Sequence, residues 1–185
     1  MLDEALELYR RAGDERGVAQ VLSILVIGDA QEGRWEQVAR SLEEVTAILR
    51  RAGDRLYLAF DLQWLSVAYG RLGRMDEARA AALESLRLFQ SVDNLTGVGV
   101  VFSNFAFLAT WEGRHEDAVR LAAASDRLKQ QVGGPPGGFA GILEGDPAEE
   151  AGAHLDPEVT RRAWDEGFAM TLDEAVRLAA GEARL

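Results

Sequence analysis

Two histidines, three serines set in apolar runs, a few neighbouring carboxylates and one glycine-rich segment are the residues of this chain whose types could do chemistry. His115 and His154 are the only imidazoles. One opens a helical pattern and the other falls in a stretch that reads as loop. Acid–base catalysis or zinc ligation needs further groups at ligand spacing, and neither histidine has them nearby. His115 shares its place in the pattern with Trp35 and Met75, so it reads as a half-buried turn residue, and His154 as a solvated one. Ser23, Ser66 and Ser103 lie without a His or Lys base at any suggestive spacing, so a nucleophile would lack its activator. The acidic pairs Asp3-Glu4, Glu43-Glu44 and Glu149-Glu150 are adjacent in sequence. On a helix such neighbours point about 100° apart and behave as ordinary solvent-facing charge. The run Gly133-Gly134-Pro135-Pro136-Gly137-Gly138 lacks a Lys-Ser or Lys-Thr and follows a helix rather than a strand, so it does not read as a phosphate loop. Cysteine is absent, which excludes disulfides, thiolate metal sites and cysteine nucleophiles. The expectation is no catalytic residue, no metal, no cofactor and no enzymatic activity.

Composition narrows the partners. A net charge of -11 over 185 residues repels phosphate backbones and anionic lipid, which argues against direct nucleic-acid or membrane contact. The acidity is concentrated late, with eleven acids and four bases in residues 133–185. The most apolar stretches, Val21–Gly28 and Gly97–Trp111, are shorter than the run of about 18 residues that suggests a membrane span. The opening Met1-Leu2-Asp3-Glu4 is acidic and has no signal-peptide pattern, so a cytoplasmic location is expected.

The elements that would position any site follow from an internal period. Gly-Arg recurs at Gly33-Arg34, Gly73-Arg74 and Gly113-Arg114, each step being 40 residues. Arg-Arg-Ala-Gly-Asp at Arg10–Asp14 returns at Arg50–Asp54, with weaker echoes at Ser91-Val92-Asp93-Asn94 and Gln131-Val132-Gly133. Two markers sharing one period indicate a repeat architecture. Between markers, Trp35, Val38, Leu42, Val45, Ile48 and Leu49 are spaced three or four apart, as are Leu58, Leu62, Leu65, Ala68 and Leu72. Each is one apolar helix face. Asp54 is placed to cap the second of these helices. Val38, Ala78 and Ala118, five residues after each Gly, mark where paired helices approach most closely. The fold expected is all-α: antiparallel helix pairs with a 40-residue period over residues 1–132, a Gly/Pro-rich acidic linker over 133–156 with a helical turn near Ala148–Ala151, and a short helical segment over 157–185. In that last segment Asp156-Pro157 can start one helix and Thr171…Glu174 forms a capping box for another.

Leu62, Leu65, Tyr69, Gly73, Ala78 and Leu86 resemble the signature of tetratricopeptide repeats. The period of 40 rather than 34 and the Leu at position 62, where that family favours Trp, are departures. They resemble the longer-helix variant of bacterial signalling proteins. Ala163–Val176 is similar to a motif that closes the repeat region of actinobacterial LuxR-type/AAA-ATPase signalling regulators. The resemblance implies a right-handed superhelix and a place within, or descent from, a bacterial transcriptional or signalling regulator. It carries over no ATPase or DNA-binding activity, because the matching residues hold neither portion.

Stacked helix pairs line an inner surface with the first helix of each pair. Aligned at the 40-residue step, its columns include Gln63 with Ser103, Trp64 with Asn104, Val67 with Phe107 and Arg71 with Trp111. Polar groups beside large anchors suit a peptide or helix from a protein partner, and these eight residues form the candidate binding face. Core packing of the aromatic rings is the competing reading. A small-ligand-sensing repeat is the alternative function. Leu6 and Tyr9, on the unpaired first helix, offer an apolar end at which a homodimer could form.

Overall fold

The computed structural model describes residues 2–132 and 145–182, and all its regular structure is helical. The helices are α1 (Leu2–Ala12), α2 (Glu15–Gln31), α3 (Trp35–Ala52), α4 (Arg55–Arg71), α5 (Met75–Ser91), α6 (Leu95–Trp111), α7 (His115–Val132), α8 (Pro147–Gly152), α9 (Pro157–Ala169) and α10 (Leu172–Ala180). The glycine-proline run expected to form the linker lies outside the described residues. None of these helices is long and apolar enough to cross a membrane. The chain divides into two compact units, Met1–Ala81 and Ala82–Leu185.

The expected turns form at the expected residues. Gly33, Gly73 and Gly113 all take left-handed backbone, with φ of 71°, 74° and 76°, a region open to glycine at little steric cost. At each turn the N–H of the following arginine donates back to a carbonyl five residues earlier: Arg34 to Asp29 at 2.8 Å, Arg74 to Tyr69 at 2.9 Å, Arg114 to Ala109 at 2.8 Å. This is the hydrogen bond that terminates a helix in a Schellman motif. The second turn of each repeat is built the same way, by Asp14 to Tyr9, Asp54 to Leu49 and Asn94 to Phe89. The carboxylates of Asp14 and Asp54 and the amide oxygen of Asn94 then accept from the N–H of Gly17, Tyr57 and Gly97, capping α2, α4 and α6.

In the first unit α1 packs on α2, α2 on α3 and α3 on α4. Val18, Ala19, Leu22, Val45 and Ile48 form a core cluster with Leu6, Leu25 and Leu49 against it. Leu6 is therefore half-buried, while Leu8 and Tyr9 remain exposed. The close-approach residues Val38 and Ala78 have no accessible surface. A polar network ties α3 to the α4–α5 turn. Tyr69 donates its hydroxyl to Glu43 at 2.9 Å, and the Arg74 guanidinium lies 4.2 Å over the Tyr69 ring while pairing with Glu77 at 2.5 Å. Burial, then the Glu43 carboxylate, pushes the Tyr69 phenol up to about 12.

In the second unit α7 is the hub: α6, α8, α9 and α10 all pack on it. Phe102, Phe105, Val119 and Leu121 are buried there, as is the close-approach residue Ala118. The helical turn expected near Ala148–Ala151 is α8, and it packs against α6 and α7. Asp156 caps α9, and Thr171 with Glu174 forms the expected capping box on α10. The contact between α9 and α7 centres on Arg120. Its guanidinium donates to Glu166 at 2.8 Å, to Glu116 at 2.8 Å and to Asp117 at 3.2 Å. Gly167 permits the approach, since a Cβ there would lie 2.2 Å from the Arg120 carbonyl oxygen.

Gly167 and Gly28 should thus respond oppositely to alanine. Gly28 sits within α2, where a methyl group would meet open space, so Gly28→Ala should stabilise by about 0.5–1 kcal/mol. Gly167→Ala meets backbone that cannot swing aside and should destabilise by about 1–3 kcal/mol. Urea unfolding followed by circular dichroism checks both, and equal signs would contradict the α7–α9 contact.

Candidate functional site

The eight residues expected on a binding face fall on two helices, one in each unit. On α4, in the first unit, Gln63, Trp64 and Val67 are buried and Arg71 is exposed. The Arg71 guanidinium lies 5.7 Å from the centre of the Trp35 ring, a cation–π arrangement. On α6, in the second unit, Asn104 and Phe107 are buried while Ser103 and Trp111 are half-buried. Phe107 and Trp111 have ring centroids 5.8 Å apart at an interplanar angle of 31°, a range in which aromatic pairs attract. Arg71, Ser103 and Trp111 are therefore the members of this set with surface to offer. The other five shape the helices from within.

Sequence reasoning missed the surface nearer the start of α4. Leu56 and Phe60 are each 39% exposed and Tyr57 is 63% exposed. These residues and Asp61 share one face, because 57 and 61 are one turn apart, as are 56 and 60. The repeat itself explains why Tyr57 protrudes. In α2 and α6 the position of Tyr57 is held by Gly17 and Gly97, which lie against the rings of Tyr9 and Phe89; a Cβ on either would come within 2.2 Å or 2.4 Å of ring carbon. In the middle repeat Leu49 replaces the ring, so a side chain fits, and it is the tyrosine that stands out into solvent. Asp61 departs similarly. Val21 and Val101, its counterparts at the 40-residue step, are buried apolar residues. Asp61 has no hydrogen bond or ion pair among the described residues, and burial pushes its carboxyl up to about 7.

The two histidines need a correction. Their sequence spacing leaves each without a partner and His154 as a solvated loop residue. His154 is exposed, but its ring stacks on His115, with centroids 4.4 Å apart and planes within 13°. Packing of α8 on α7 brings the rings together, which no local pattern reveals. His115 Nδ1 is buried without a hydrogen-bond partner among the described residues. Nearly parallel ring planes do not aim their nitrogen lone pairs at a common point. Among the described residues no three His, Cys, Asp or Glu side chains are grouped so as to hold a metal ion.

No protein-family model matches the chain, and no curated protein sequence matches it significantly.

The Asp61 environment has a measurable consequence. In the unfolded chain its carboxyl titrates near 3.8, whereas in the folded protein it does so near 7. Between those values the folded state holds a proton that the unfolded state has released, so stability falls as pH rises through the window. Asp61→Asn should therefore be more stable than wild type by about 1–2 kcal/mol near pH 8, after discounting for partial solvation. The difference should vanish toward pH 4. Urea unfolding at several pH values reads it, and a pH-independent difference would show a carboxyl already well solvated.

Proposed function

We propose that this chain is a non-catalytic protein-interaction scaffold. Its partner, a peptide or helix of another protein, docks on the surface presented by the first helix of each repeated pair. The observation that carries this reading is where large apolar side chains reach solvent. Among the described residues of the three helix pairs, they are Ile24 on α2, Leu56, Tyr57 and Phe60 on α4, Leu95 on α6, Val92 in the turn after α5 and Val132 at the end of α7. The second helices thus keep their large apolar groups inward over nearly all their length, while the first helices present some outward. Exposed apolar groups on these helices, with Arg71 on α4 and Ser103 and Trp111 on α6, are the kinds of anchors and polar contacts that interfaces use. The forty-residue period and the likeness to tetratricopeptide repeats support a superhelical arrangement of these pairs. The likeness of Ala163–Val176 to signalling regulators supports a place in, or descent from, such a protein.

Affinity capture from lysate of the native organism tests the reading. A specific protein should be retained by wild type and lost with Arg71→Ala or Trp111→Ala, each still helical by circular dichroism. Loss of about 1–2 kcal/mol of binding, or roughly 5- to 30-fold in Kd, is expected for a central anchor. Retention that ignores both substitutions, or no retained protein, rejects this surface as the interface.

A further inference from the structure

We infer that the face of α4 formed by Leu56, Tyr57, Phe60 and Asp61 docks an apolar segment bearing an arginine or lysine, supplied by a partner protein. This deepens the interaction reading above and rests on it.

The argument begins with what the repeat does elsewhere. At these four positions α2 carries Arg16, Gly17, Gln20 and Val21, and α6 carries Thr96, Gly97, Val100 and Val101. Neither set combines exposed aromatic surface with a carboxylate. Only in α4 do these positions hold a leucine, a tyrosine and a phenylalanine that reach solvent. The one polar member of the group stands where the sibling helices bury valine.

Each departure costs stability in the isolated chain. Exposed rings leave apolar area in water, and a desolvated carboxylate without a hydrogen bond or ion pair is unfavourable. A single kind of ligand relieves both. Its apolar side chains cover Leu56, Tyr57 and Phe60. Its cation meets Asp61 and can also lie on an aromatic face, as Arg71 does over Trp35 and Arg74 over Tyr69 in this same unit. The net charge of -11 adds long-range attraction for such a segment and repels an anionic one.

The test uses the full chain and three fluorescein-labelled peptides: acetyl-Arg-Leu-Leu-Arg-Leu-Leu-amide, and the same peptide with Gln or Glu in place of Arg. Binding is read by fluorescence anisotropy near pH 8. The Arg peptide should bind wild type about tenfold or more tighter than the Gln peptide, and the Glu peptide least. Asp61→Asn should weaken the Arg peptide about tenfold while leaving the Gln peptide within about twofold. Tyr57→Ala should weaken both. Equal affinity for the Arg and Gln peptides, indifference of the Arg peptide to Asp61→Asn, or no binding of it up to about 1 mM would overturn the inference. The broader reading is judged separately. A captured protein lost with Arg71→Ala or Trp111→Ala but unaffected by Asp61→Asn would leave the scaffold standing and remove the cationic contact alone.

Discussion

Six helix reversals between α1 and α7 depend on one backbone event, a residue in the left-handed region that lets the next N–H reach back five residues. At Gly13, Gly33, Gly53, Gly73 and Gly113 the event is cheap, because glycine has no Cβ to clash. Asp93 is the exception. It takes a φ of 53° with a side chain attached, and the turn closes there all the same, Asn94 donating to Phe89 at 2.9 Å. Because each reversal has the same geometry, each helix that follows begins on the same helical phase and buries the same face. The recurrence of buried residues at 38, 78 and 118 follows from that phase.

This is also why so much of the helical layout was legible. Turn glycines, Asp and Asn caps, and apolar residues every three or four positions are local signals, and their effects act over a few residues. The capping box at Thr171 and the Asp156 cap belong to the same class. What could not be read was the association of elements far apart in the chain. Nothing near His154 announces His115, and nothing near Glu166 announces Arg120, because those contacts arise only when α8 and α9 settle on α7.

The candidate site lies between these cases. Trp64 and Phe107 are ring-bearing residues at helical spacing, a pattern that a core and a binding face share, and both are buried. The signal for the α4 surface was present but indirect. It sits in the contrast between one repeat and its siblings: Tyr57 against Gly17 and Gly97, Asp61 against Val21 and Val101. A repeat protein supplies its own internal reference for each position. A residue that breaks its column is more informative there than its type alone would be.

Arg120 answers to the same comparison. Its counterparts Arg40 and Ala80 are exposed, whereas Arg120 is buried against α9 and held by three carboxylates. A further helix pair follows α3, yet Arg40 stays in solvent, so α9 takes a face that the repeat leaves open there. Without α9 the Arg120 side chain would keep Glu116 and Asp117 and return to the water that Arg40 already meets.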